Sequence, residues 1–197
     1  MPTSPTTTVI NLSPLTRIEG HLDIELIVED GVVAEAFSGG TMFRGFEKIL
    51  RGRDPLDATH LTQRICGVCP IAHGMASAKT LEVAFGIAPL ENGRILRNLI
   101  LGANFLQSHI LHFYHLALLD YADTAGHPVL DQSPWQPSLW SPDKLTGSAA
   151  DPFLTNYVQA LTIRRKSHLM GAIFGGKLPC SPVFVPSGCT ETVTQKG

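Results

Sequence analysis

The sequence predicts an α+β fold: an N-terminal antiparallel β-hairpin followed by a bundle of long helices. Three observations predict it. Leu22, Ile24, Leu26 and Val28 alternate with Asp23 and Glu25, Asp30-Gly31 follows, and a second apolar run covers residues 32–37; this is a strand, a turn suited to positive φ, and a strand. Residues 91–122 form a long run that is apolar nearly all round, as a helix central in a bundle is. Residues 151–174 form a last helix, opened by Asp151-Pro152 and closed by Gly175-Gly176.

The elements follow in order. Residues 1–8 are rich in Pro and Thr and read as a flexible tail, with 9–197 as a single domain. After the hairpin, Ser38-Gly39-Gly40 ends the strand, and a short helix over about 44–51 carries Phe46, Ile49 and Leu50 on one side. Asp54 caps a helix opened by Pro55 and running towards Ile65. Cys66-Gly67-Val68-Cys69-Pro70 interrupts it, and a further helix runs from near Ala72 to just before Gly86. The 91–122 helix would span roughly 48 Å if unbroken. Residues 123–150 contain Gly126, Pro128, Pro134, Pro137, Pro142 and both tryptophans, an irregular excursion of the kind that contacts partners. The segment after Lys177 is irregular, and there is no internal repeat.

The chain has 197 residues, 44% hydrophobic, and can bury a core. Only 16% of its residues are charged, against about 25% in an ordinary soluble domain, so much of its surface is expected to be covered by something other than water. Fifteen basic and 17 acidic residues give a net charge of −2, without the basic excess that a phosphate backbone requires. Four cysteines are too few for a disulfide scaffold. The N-terminus lacks the basic start and apolar run of a secretory signal. The most apolar stretch, 95–119, is broken by Arg97, Asn98, Asn104, Gln107, Ser108 and three histidines, and is a poor membrane span. The expectation is a chain that stays in the cytoplasm or is carried elsewhere by a partner bearing the signal.

Cys66-x-x-Cys69 is the first candidate for chemistry. A tight turn brings both sulfurs to one side, where they can share a metal, and Arg64 nearby favours thiolate. A redox pair and an inert pair fit the spacing too, although a redox Cys-x-x-Cys normally follows a strand and here a helix precedes it. His73, four residues beyond Cys69, can approach a sulfur or a metal; a core histidine bonded to backbone is the plainer alternative. Cys180 and Cys189 would complete a four-cysteine zinc site only at a spacing far from usual zinc motifs. In Thr16-Arg17-Ile18-Glu19-Gly20-His21, Glu19 stands before a strand and can relay protons if burial lifts its pKa; an ion pair with Arg17 is the simpler reading. Glu47 has a comparable simple role, pairing with Arg51 one helical turn on. His109, His112 and His115 drift around the helix instead of forming one metal face, which favours structural roles.

The combination SPLTRIEGH (13–21), SGGTMFRGFE (38–47), RGRDP (51–55), QRICGVCPIAH (63–73), NGRILRNLILGANFLQSHILHFYHL (92–116) and FGGKLP (174–179) resembles the N-terminal part of the large, catalytic subunit of nickel–iron hydrogenases. The likeness covers most of residues 10–190 in the family's order. It implies a hydrogenase large-subunit-like fold and a reversible oxidation of H2 to two protons and two electrons at a nickel–iron centre whose iron carries carbon monoxide and cyanide. By this resemblance Cys66 binds nickel terminally, Cys69 bridges nickel and iron, and His73 donates to the bridging sulfur; soft thiolates suit both metals. Glu19 becomes the first acceptor of the proton released when H2 is cleaved heterolytically. Glu47 helps to hold a structural Mg²⁺, for which an oxygen ligand is apt. Arg64 and Ser108 stand beside the ligands, and iron–sulfur clusters reside in a partner small subunit.

Three departures from the family shape these expectations. The family's second metal-binding Cys-x-x-Cys is absent, so a split large subunit is expected, with its C-terminal half on a separate chain; a truncated fragment is the alternative. Many relatives read His-Asp-His where this chain has Gln107-Ser108-His109, and the Gln-Ser-His version resembles the selenium-containing branch, so one ligand on the partner chain could be selenocysteine. Relatives usually have His after the Gly-Gly-Lys-x-Pro segment and Gly-Gly-x-Thr further on; here stand Cys180 and Gly188-Cys189, which pair with each other, sit near a cluster, or are small buried residues. Two further readings compete: a non-catalytic assembly subunit of a larger redox complex, and a small zinc or iron–sulfur protein that works alone. Keeping both Cys66 and Cys69 argues against the first, and the low charge content against the second. Cytoplasmic and periplasmic locations both stay open, with co-export alongside the small subunit favouring the periplasmic side.

Overall fold

The computed structural model describes residues 6–128, 130–131 and 143–192. The chain divides into two compact units, Met1–Arg44 and Gly45–Gly197, where the sequence predicts one folded unit from residue 9.

The first unit is a three-stranded antiparallel sheet in the order β1 (Thr7–Leu12), β2 (Leu22–Glu29), β3 (Val32–Gly40). The predicted hairpin is β2–β3, and Asp30 and Gly31 turn at φ 50° and 82°. β1 is an addition. Thr7 and Thr8, expected in the tail, pair with Glu29 and Val28, and β1 runs on so that Ile10 faces Leu26 and Leu12 faces Ile24. The Asp30 carboxylate accepts the Thr6 N–H at 3.1 Å and fixes the start of the strand. Composition signals a tail there, yet β-branched residues suit a pleated edge. β2 is the middle strand and is half-buried, while β1 and β3 are exposed. Residues 13–21 loop from β1 to β2, closed by the Leu15 N–H on the Leu22 carbonyl at 2.8 Å.

The second unit is helical. The short helix α1 covers Phe46–Ile49, less than the predicted 44–51. Asp54 caps as expected, its carboxylate accepting the Leu56 N–H at 2.9 Å. The segment beyond is a 3-10 turn (Pro55–Asp57), one turn of α-helix α2 (Ala58–Leu61) and a second 3-10 turn (Thr62–Arg64) in place of a uniform helix. α3 (Pro70–Phe85) starts immediately after Cys69, two residues before the predicted start, because Pro70 is pre-set for the first helical position. It stops at Gly86, whose φ of 66° is the left-handed conformation that glycine adopts freely.

α4 (Glu91–Ile110) continues into a π-helical stretch, Leu111–Ala117, and then α5 (Leu118–Tyr121). The predicted long helix is present as one path, with a widened middle. α6 (Asp151–Gly175) ends at Gly176 with φ 70°, and β4 (Phe184–Val185) pairs with β5 (Gly188–Cys189). Trp135, Trp140, Pro134, Pro137 and Pro142 of the predicted excursion lie outside the described residues.

One core cluster joins Ile71 and Met75 of α3 to Ile100 of α4 and to Val183 and Phe184; a second joins Leu118, Ala122, Leu130, Ala150 and Leu154. α4 lies against β5 so closely that a Cβ on Gly93 would stand 2.7 Å from the Gly188 Cα, which makes glycine necessary there. Glu82 of α3 and Arg97 of α4 form a buried ion pair at 2.7 Å, and the same carboxylate oxygen accepts the Ser187 N–H at 3.0 Å. No helix of the described residues is long and apolar enough to cross a membrane.

Candidate metal centre

The turn between the Thr62–Arg64 segment and α3 brings Cys66, Cys69 and His73 together. Their ligand atoms all lie within 4.8 Å of one another, and all three residues are half-buried. Cys66 and Cys69 are close because Gly67 and Val68 bend the chain. His73 sits one turn into α3, on the face nearest the N-cap residue Cys69. Cys69 Sγ and His73 Nε2 are 3.6 Å apart. The Cys69 N–H donates to Cys66 Sγ at 3.1 Å. Burial lowers the pKa of His73 below its ordinary value, so its ring is neutral at pH 7.

Two buried glutamines hold this turn. The Gln63 side chain donates from Nε2 to the carbonyls of Thr59 (2.8 Å) and Ser181 (2.9 Å) and lies under Gly74, where a Cβ would meet it at 2.9 Å. Gln107 of α4 donates from Nε2 to the Val68 carbonyl at 3.0 Å. The sequence marks Gln107 only as part of Gln-Ser-His and gives neither glutamine this role, since each acts across a long separation: 118 residues from Gln63 to Ser181 and 39 from Gln107 to Val68.

The other candidates are placed as follows. Arg64 donates to the His60 carbonyl at 2.5 Å. Ser108 is half-buried and its Oγ accepts from Gln107 Nε2 at 2.9 Å. Glu47 is exposed in the first turn of α1. Glu19 is exposed in the loop before β2. His115 lies in the π-helical stretch, its Nε2 3.3 Å from the Tyr157 carbonyl and its ring edge-on to Tyr157. None of the four cysteines is in a disulfide. Cys180 and Cys189 therefore do not pair with each other, and neither joins the Cys66–Cys69–His73 cluster among the described residues. The Cys180 thiol donates to the Gln63 carbonyl at 3.6 Å. Cys189 packs against the first core cluster, and burial pushes its thiol pKa up, so it stays protonated.

The nickel-dependent hydrogenase model matches residues 44–138, the span that contains this cluster, and a HoxL-like model matches residues 9–38. The chain is 52% identical over 194 residues to the periplasmic [NiFeSe] hydrogenase large subunit of Desulfomicrobium baculatum, covering 94% of this chain and 37% of that protein. The chain belongs to the nickel-dependent hydrogenase large-subunit family. The hydrogenase-2 large chain of Escherichia coli K12 is 35% identical over 229 residues, covering 95% of this chain and 40% of that one. Among solved structures, the as-isolated oxidised Ni-Fe-Se hydrogenase from D. vulgaris Hildenborough superposes with a TM-score of 0.81 at 47% identity, over 97% of this chain and 39% of that chain. The family's small antiparallel sheet and long helices are thus the fold of this chain, and relatives of the selenium branch are among its matches. The chain spans about two fifths of the length of these relatives.

Proposed function

We propose that this chain is the N-terminal component of the catalytic subunit of a nickel–iron hydrogenase of the selenium-containing branch, supplying two sulfur ligands to a nickel–iron centre. The observation that carries the reading is the Cys66–Cys69–His73 cluster in a chain of this family. The donor set fits. Two cysteine sulfurs outside any disulfide are soft donors of the kind that select nickel and iron over magnesium or calcium, and the neutral imidazole beside them is placed to hydrogen-bond a sulfur. Cys66 and Cys69 would hold the nickel–iron centre through their sulfurs. A centre held there supplies the chemistry that interconverts H2 with two protons and two electrons.

The chain's own residues do the rest. His73, kept neutral by burial, can donate a ring N–H to the Cys69 sulfur and so orient it. Gln63 and Gln107 hold the turn, which keeps both sulfurs in register. Glu19 accepts the proton that leaves; it is exposed on this chain, so the burial that suits a carboxyl to the task has to come from the assembly. Glu47 contributes an oxygen ligand to Mg²⁺. Arg64 and Ser108 line the surroundings of the sulfurs.

Two sulfurs are half a ligand set for such a centre. The remainder is proposed to come from the C-terminal part of the large subunit, as sulfur or as selenium, with electrons leaving through the iron–sulfur clusters of a small subunit. Val83, Leu90, Phe105, Leu106 and Ile173 are exposed apolar residues of the helical unit, as a chain built to be covered by partners would have. The periplasmic side is the proposed location, in keeping with the name of the Desulfomicrobium relative. The test is the composition of the native complex by mass spectrometry and elemental analysis. Nickel and iron together, with further sulfur or selenium ligands from the C-terminal part of the large subunit, are expected. A complex without nickel, or one with no protein completing the ligand set, overturns the proposal.

A further inference from the structure

We infer that Gln107 and Arg164 are positioning residues that tune the Cys66 sulfur through a single peptide group. The inference deepens the reading above and rests on it.

The peptide that joins Val68 to Cys69 is engaged at both ends. Its carbonyl oxygen accepts from Gln107 Nε2 at 3.0 Å. Its N–H donates to Cys66 Sγ at 3.1 Å. Behind it, Gln107 Oε1 accepts from an amino nitrogen of Arg164, on α6, at 3.4 Å. Every donor in the series points the same way: guanidinium to amide, amide to peptide, peptide to sulfur. Amide and peptide groups are planar and conjugated, so pulling electron density onto the oxygen strengthens donation by the nitrogen. Hydrogen bonds in series polarise one another by about 10–30% per bond. A fixed positive charge at the far end adds to the pull. The outcome at the near end is a sulfur that surrenders electron density and a loop whose peptide plane cannot rotate.

Burial gives the series its strength. Gln107 is 2% exposed, and the Arg164 Nε is buried with no hydrogen-bond partner among the described residues. Desolvation lowers the pKa of Arg164, but an arginine stays protonated in proteins. A guanidinium placed at such cost, with one amino nitrogen on a buried amide, is an arrangement that loop anchoring alone does not require. Anchoring needs only the bond from Gln107 to Val68. The Gln107 amino group has two hydrogens and three acceptors in reach: the Val68 carbonyl, Ser108 Oγ at 2.9 Å and Asn104 Oδ1 at 3.3 Å. Turning the amide over would set Oε1 against the Val68 carbonyl and give up the contact with Arg164, which fixes its orientation.

The experiment is an electron-paramagnetic-resonance redox titration of nickel in the assembled holoenzyme, with nickel content measured on the same samples. Gln107→Met keeps the side-chain length and removes the donor and the acceptor. Arg164→Met removes the charge and leaves the bond from Gln107 to Val68. Both are expected to keep nickel and to shift its midpoint potential in the negative direction, because a sulfur that retains more electron density favours the oxidised metal. The shift is expected to be larger for Gln107→Met, and Arg164→Lys is expected to recover part of the loss seen in Arg164→Met. If Gln107→Met fails to assemble, the Arg164 pair decides. Potentials and g-values unchanged in variants that retain nickel overturn the inference while leaving the proposed function standing. No nickel by elemental analysis in the unaltered holoenzyme overturns the proposed function and this inference with it.

Discussion

Cys66 and Cys69 meet because two small-to-medium residues, Gly67 and Val68, separate them and because Pro70 starts α3 at once. His73 joins them through helical geometry alone, four residues being close to one turn. This part of the site was legible in the sequence because it is local. Gln63 and Gln107 were not, since their acceptors lie far along the chain and a glutamine carries no pattern that announces a distant carbonyl. Glu19 is marked by its motif alone, and it is exposed on this chain. Glu19→Gln keeps the shape of the side chain and removes its capacity to take a proton. In the assembled complex it is expected to retain metals and to lower proton exchange with hydrogen gas by at least about 10²-fold, the typical weight of a positioned acid–base group. Hydrogen–deuterium exchange followed by mass spectrometry checks this, and full exchange in the variant would remove Glu19 from the relay.

At the scale of elements, what the sequence predicts best are segments with strong periodicity or firm punctuation. The β2–β3 hairpin has an Asp-Gly turn, and α3 and α6 end at glycines with positive φ. β1 escaped because Thr and Pro mark a tail by composition, while its pairing depends on β2. The π-helical turn at Leu111–Ala117 also escaped, since apolar residues all round give no phase from which a one-residue shift could be read. The contact between α3 and α4 depends on an ion pair that no local pattern signals, Glu82 with Arg97, at 8% and 2% side-chain exposure. Glu82→Ala strands the guanidinium and the Ser187 N–H, and is expected to cost about 3–5 kcal/mol of stability. The double variant Glu82→Leu with Arg97→Met leaves no buried charge and is expected to lose much less. Chemical denaturation compares the two; equal losses would show that the pair's charges are not what holds these helices.

Across the whole chain, the low fraction of charged residues finds its counterpart in the many exposed apolar side chains of both units. Acid sensitivity is a property at the same scale. Burial lowers the pKa of His115 and of His168, and the nearby Arg164 charge lowers both further, while the Tyr157 carbonyl partly offsets this at His115. His73 is lowered by burial as well. A histidine with a folded pKa below the unfolded value of about 6.5 contributes stability that is fully present above that pH and is lost as pH falls through the folded pKa. The melting temperature is therefore expected to fall on acidification from pH 7 towards pH 5, and to fall less in His168→Asn. A melting temperature that is flat or rising over that interval would contradict the assignment.

The central claim is that Cys66 binds nickel, and nickel content measures it most directly. Complexes purified with Cys66→Ser and with unaltered chain, matched for assembled subunits, are compared by elemental analysis. The account predicts that nickel disappears from the variant and that H2 turnover is lost with it. Nickel retained at the unaltered level in the serine variant would contradict it.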